Sequence, residues 1–204
     1  MGFKCLNCGK CCDDPLVQIN LSFKDVQRMS KALKLKVEQL FSKRIIGFNP
    51  FIDPETGKYD IELGLNKPCK LRKKGKCSIY KSRPLNCRIF PYWLIAKFGN
   101  GAKDMFEPGF KGVHAMSISE QERAEYETYS KPIGEMLLKE ANITDTKVNR
   151  IKQELGWEPG GIDAGGILQN HELEKQRIEA MKQLIEKLPI RKLRERVIKE
   201  IESL

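Results

Sequence analysis

The chain has 204 residues, 40% hydrophobic and 31% charged, with a formal charge of +10 and seven cysteines against two histidines. This balance excludes an intrinsically disordered chain and leaves room for one large domain or two small ones. The most apolar stretch, IFPYWLIAKF at 89–98, is about half of what a bilayer requires and contains a proline. MGFKCLNCGK lacks the apolar core of a secretory signal. No membrane association and a cytoplasmic location are therefore expected.

In chain order, the first feature is FKCLNCGKCC at 3–12, with Cys5, Cys8, Cys11 and Cys12. INLSFKDVQRMSKALKL then reads as a helix, with Ser22 and Asp25 spaced as a capping box and Val26, Met29 and Leu33 at helical spacing. VEQLF at 37–41 suggests a second short helix. IIGFNPFI and YDIELGL, separated by DPETGK, read as two strands of a hairpin. A basic loop follows, with KPCKLRKKGK at 67–76, and carries Cys69 and Cys77. SRPLNCRIFP places Pro84 at the first helical position, with Cys87 inside the helix. Tyr92, Leu94, Ala96 and Phe98 alternate as in a strand.

The second half contains no cysteine. SISEQERAEYETYSKPIGEMLLKEA at 117–141 reads as a helix capped by Ser119 and Glu122 and interrupted by Pro132. TDTKVNRIKQELG is helical and stops at Gly156. EPGGIDAGG at 158–166 has the spacing of neither a P-loop nor a dinucleotide turn, so a flexible connection between helices is expected. Leu168, Leu173, Ala180, Leu184 and Leu188 share an apolar face, which resumes after Pro189 with Ile190, Leu193, Val197 and Ile201. The expected fold is α+β: a cysteine-bearing part over 1–115, with helices and a short antiparallel sheet, then a mainly helical part over 116–204, separate or packed as one fold.

Several explanations of the thiols compete. Cytosolic reductants disfavour a disulfide framework, and seven thiols cannot pair completely within one chain. A thioredoxin-type CxxC needs a preceding strand, for which residue 5 leaves no room. His114 and His171 have no partner at zinc-finger spacing, and such sparse histidine supports no Ser/His/Asp or Cys/His catalytic set. Metal binding remains: soft metals take thiolates, and a metal lowers thiol pKa values so that several thiolates coexist. Cys5, Cys8 and Cys11 repeat the C-x2-C-x2-C rhythm of ferredoxin cluster loops, and Gly9 lets the backbone turn between them. Ligands from Cys69, Cys77 or Cys87 would tie that loop to the body.

FKCLNCGKCC at 3–12, PCKL at 68–71 and CSIYKSRPLNCRIFP at 77–91 resemble, in order, the blocks of the YkgJ-type cysteine-cluster family of zinc- or iron-chelating domains. The resemblance covers roughly residues 3–92. It implies Cys5, Cys8, Cys11, Cys12, Cys69, Cys77 and Cys87 as metal ligands, supported by Tyr80, Arg83, Pro84, Arg88 and Pro91. Arg83 and Arg88 would offset thiolate charge.

Four thiolates satisfy one [4Fe–4S] cluster or one Zn²⁺ ion, and the ferredoxin-like spacing favours the cluster. The expected function is a metal-binding protein in electron transfer, or an accessory to another protein. Two alternatives stand beside it. Similar domains in flagellin lysine methylases imply S-adenosylmethionine-dependent protein methylation, although no S-adenosylmethionine loop and no CxxxCxxC is present. A zinc-stabilised module binding RNA through Lys70, Arg72, Lys73, Lys74 and Lys76 is the other, and a solvated lysine loop is its plain counterpart.

Overall fold

The chain enters its first long helix through a reciprocal cap. Ser22 Oγ accepts from the Asp25 N–H at 2.9 Å, and the Asp25 carboxylate accepts from the Ser22 N–H at 3.3 Å. In the computed structural model, which describes residues 6, 8–13, 17–52, 58–92, 101, 104, 111, 119–157, 160–161 and 189–204, this cap opens α2. A single helical turn, α1 (Lys10–Asp13), precedes it. Helix α2 (Phe23–Leu33) buries Phe23, Val26 and Met29 on one face. Lys34, with φ 54°, closes it, and α3 (Val37–Ser42) follows.

Strands β1 (Ile46–Ile52) and β2 (Lys58–Leu65) form the expected antiparallel hairpin, with Gly47 opposite Gly64 and Pro50 opposite Ile61. Alternate residues Ile61, Leu63 and Leu65 are buried, as one covered sheet face requires. Residues 19–21 run along the other edge of β2 through Leu21 N–H to Leu63 O at 2.8 Å and Leu65 N–H to Ile19 O at 3.0 Å. The glycine-rich segment after Gly156 is more than a connection. Its Gly160–Gly161 pair forms β5, antiparallel to Lys58 and Tyr59.

The basic loop is a second, smaller hairpin. Strands β3 (Arg72–Lys73) and β4 (Lys76–Cys77) pair Arg72 with Cys77. Lys74 and Gly75 both have positive φ, 48° and 75°, as a two-residue hairpin turn demands. A 3₁₀ turn (Tyr80–Ser82) then leads to α4 (Leu85–Ile89), with Pro84 immediately before it.

Pro132 does not interrupt the following helix. Helix α5 runs unbroken as Glu120–Glu154 and joins the two helical stretches expected from the sequence. Proline removes one N–H, but it sits on an exposed face where water can serve the freed Thr128 carbonyl. Ile133 and Leu137 on the neighbouring face pack against Leu85 and Ile89 of α4 and hold the helix in place. Thr144 and Thr146 turn their hydroxyls back to the carbonyls of Glu140 and Asn142, so TDT continues the helix instead of opening a new one. Gly156, φ 75°, ends α5 with the double backbone closure of Trp157 N–H to Lys152 O and Gly156 N–H to Gln153 O.

Helix α6 (Ile190–Glu202) buries Leu193, Val197 and Ile201 completely, at the expected four-residue spacing. It packs on α2, α3 and α5. Burial of this order contributes about 1.5–3 kcal/mol per side chain. Val148, Ile151, Leu193, Val197 and Ile201 lie in the same apolar cluster as Ile19, Met29, Ile46 and Ile61, so the described residues of both halves share one core. Cys5, His114, His171, the alternating stretch from residue 93 and the apolar face over 168–188 lie outside the described residues.

Candidate metal centre

The site is assembled by the N-terminus of α2. Asp25, fully buried, accepts from the Leu85 N–H at 3.0 Å and so fixes the start of α4, the helix that carries Cys87. Asn86 donates to Asn20 O at 2.8 Å from the same turn. Behind Asp25, the Arg28 guanidinium grips both oxygens of Glu140 on α5 at 2.9 and 2.7 Å. Ser22 Oγ donates to that carboxylate at 2.6 Å. Burial works against the charge of Glu140, but the bonds from Arg28 and Ser22 hold its carboxyl below the usual range.

The N-terminal turn meets this body through the backbone. Gly9, φ 85°, starts the turn, and its carbonyl accepts from Cys12 and Asp13, both at 2.9 Å. Cys12 O then accepts from the Cys69 N–H at 2.8 Å. Lys67 Nζ donates to Cys11 O. Arg72 Nη1 reaches the Asp13 carboxylate at 2.8 Å. The turn is thus bound at three successive residues by the segment from Lys67 to Arg72.

That docking brings thiols together. The Cys11 and Cys12 side chains hydrogen-bond each other; Cys11 senses Cys87, and Cys69 senses both Cys12 and Cys77. Cys87 senses Cys69 and Cys12. The hydrogen bond to Cys12 drives the Cys11 thiol up, with burial and the charges of Cys12 and Cys87 adding to it. The same bond draws Cys12 down against its burial, aided by Lys67. Burial raises Cys69 against the Leu71 N–H that bonds its sulfur, and burial with the Cys69 charge raises Cys87. Five thiols therefore share one region in which their charged forms repel.

Lys67 opposes that repulsion at Cys11, Cys12, Cys69 and Cys87 alike. The sequence reading missed it, and its position two residues before Cys69 was the available signal. Arg83 acts on Cys87 as expected, while its guanidinium lies 3.8 Å from the Tyr80 ring centroid and donates to Tyr80 O. Cys8 is exposed. Of the basic residues read as an RNA surface, Arg72 is tied to Asp13 and Lys70 donates to Lys43 O at 3.0 Å. Lys73, Lys74 and Lys76 project from the β3–β4 hairpin and are exposed.

This donor set suits a soft cation. Such a cation would replace mutual repulsion with shared attraction and ionise all of the thiols it touches. The clustered thiols, the N–H bonded to Cys69 and the offsetting lysine all fit such a centre. Among the described residues, no group of three or more Cys, His, Asp or Glu is gathered as one ion requires. No helix among them is long and apolar enough to cross a membrane.

The fold and the thiol cluster define a cysteine-rich α+β metal-chelating domain. The chain belongs to the CxxCxxCC family, described as "Putative zinc- or iron-chelating domain", whose sequence profile matches residues 4–130. It is similar to "Uncharacterized protein MJ0661" of Methanocaldococcus jannaschii, 34% identical over 101 residues that cover 48% of this chain and 50% of that protein. The chain therefore spans about half the length of that relative. No solved structure matches it.

Proposed function

We propose that the protein carries an iron–sulfur cluster, most simply [4Fe–4S], anchored by Cys12, Cys69 and Cys87 with Cys11 as the fourth thiolate, and serves as an electron-transfer or accessory protein. The observation that carries this reading is the spacing of the thiols. They are near enough to shift one another's ionisation, as the ligands of one all-sulfur centre must be. Four thiolates satisfy one Zn²⁺ ion or one [4Fe–4S] cluster, and the C-x2-C-x2-C rhythm of the N-terminal run favours the cluster. In a cluster each thiolate takes its own iron.

When bound, such a cluster supplies one-electron transfer. The chain's own residues then have plain tasks. Lys67 offsets thiolate charge and holds the turn through Cys11 O. The Leu71 N–H bonds the Cys69 sulfur, and Asp25 fixes the helix that carries Cys87. This set differs from the run of Cys5, Cys8 and Cys11 that the ferredoxin rhythm suggests, because the Cys69 N–H donates to Cys12 O and so docks that residue beside the later cysteines.

Protein expressed with ample iron and purified without oxygen tests this. It should be brown, with about four irons and comparable sulfide per chain. Cys12→Ser and Cys87→Ser should each remove the colour and most of the iron. Colourless protein holding about one or two zinc ions, unchanged in air, would overturn the cluster and leave a structural thiolate site.

A further inference from the structure

A second region of the molecule has the opposite charge character. A cavity of about 480 Å³ opens beside the β1–β2 hairpin, within the size range of small-molecule sites. Among the described residues, three cations line it, Arg44, Lys67 and Lys70, and no carboxylate does. Several other described cations pair with acids: Arg28 with Asp25 and Glu140, Lys147 and Arg150 with Glu200, Lys152 with Asp60. Lys67 and Lys70 instead donate to the backbone carbonyls of Cys11 and Lys43. Lys67 also faces the thiols, and an anion in the cavity would offset the like charges of all three cations.

The cavity wall follows from two glycines. Gly47 and Gly64 face each other across the hairpin, and a Cβ on either would stand 2.6 Å from the amide of Asn66 or Asn49. Their bareness lets both asparagines lie across the strands as cavity lining. Asn49 Nδ2 donates to Leu65 O at 3.1 Å and Asn66 Nδ2 to Ile46 O at 3.2 Å. Gln18 donates in the same way to Pro50 O. With the amide nitrogens anchored to backbone, the amide oxygens remain as hydrogen-bond acceptors of this wall.

We infer that this cavity binds a small phosphorylated molecule, its phosphate held by Arg44, Lys67 and Lys70 and its hydroxyl or N–H groups read by the Asn49, Asn66 and Gln18 amides. Three cations suit a phosphate dianion, and the guanidinium fork of Arg44 matches two of its oxygens. The site stands whichever metal the cysteines take. Only Lys67 is common to both, through its bond to Cys11 O.

Calorimetric titration of the full chain at low, fixed salt tests the inference. The probes are ribose 5-phosphate, inorganic phosphate, ribose and a short single-stranded RNA. Ribose 5-phosphate should bind saturably at one site and ribose should not, with inorganic phosphate competing. Arg44→Gln alters an exposed side chain and should weaken ribose 5-phosphate at least tenfold while circular dichroism is unchanged. Lys70→Gln should weaken it as well. The inference is overturned by no saturable binding of either phosphate probe, by equal binding to Arg44→Gln, or by affinity confined to the RNA.

Discussion

Arg72 lies across Gly9: a Cβ built on that glycine would collide with the guanidinium carbon, while Nη1 of the same guanidinium holds Asp13 at 2.8 Å. The N-terminal turn is therefore pinned from outside by the β3–β4 hairpin, and the glycine is required twice. Its φ of 85° is unfavourable for an L residue, and its missing side chain makes room for the arginine.

Gly9→Ala should consequently loosen the turn. The left-handed backbone costs about 1–2 kcal/mol, and Arg72 must swing away from Asp13 to relieve the clash. The expected result is weaker metal retention and faster reaction of Cys11 and Cys12 with a thiol reagent. Asp13→Asn removes only a half-exposed ion pair, worth at most about 1 kcal/mol, and should change both far less. Equal metal retention and thiol reactivity in Gly9→Ala and the parent would show that the turn does not depend on this glycine.

The second expectation concerns the core. Leu193 is fully buried on α6 and belongs to the cluster that contains Met29, Ile46 and Val148. Leu193→Ala should cost about 2–5 kcal/mol. Because elements from both halves share that cluster, urea unfolding followed by tryptophan fluorescence and by circular dichroism should give coincident transitions, both shifted to lower urea. Two separated transitions, only one of them shifted, would mean that the halves unfold independently.

The features legible in the sequence are those with local causes. Ser22 and Asp25 cap α2 because both partners lie within one turn, and Leu193, Val197 and Ile201 declare a helix face by spacing alone. The β1–β2 hairpin and the stop at Gly156 belong to the same kind. Pro132 misled because its effect on α5 is countered by Ile133 and Leu137 packing on α4, a tertiary contact. Lys74–Gly75 makes a hairpin turn without the usual asparagine, so the basic segment reads as a loop. At the site, Gly9 was readable as a turn residue. The meeting of Cys12 with Cys69 and Cys87, and the part played by Lys67, depend on how distant segments dock, which no local pattern records.

The last expectation is a pH dependence away from the thiols. Glu62 on β2 borders a cavity of about 340 Å³ between the sheet and α5. Burial first, then the charges of Asp145 and Asp60, push its carboxyl up from 4.5 to about 7, against Lys152 and the hydrogen bond from Asn20. A carboxyl whose folded value lies above its unfolded one holds more protons when folded. Its contribution is complete below about pH 4.5 and is lost as pH rises towards 7. The loss is at most about 3 kcal/mol, less where water reaches the group. Glu62→Gln keeps an oxygen for Asn20 and never ionises, so it should equal the parent near pH 4.5 and exceed it in stability at pH 8. Thiol titration is common to both proteins and cancels in the difference between them at each pH. Urea midpoints measured from pH 4.5 to 8 should therefore diverge steadily above pH 5. Parallel curves for the two proteins would show that Glu62 ionises freely, and would remove the buried acidic face from any account of the protein's stability.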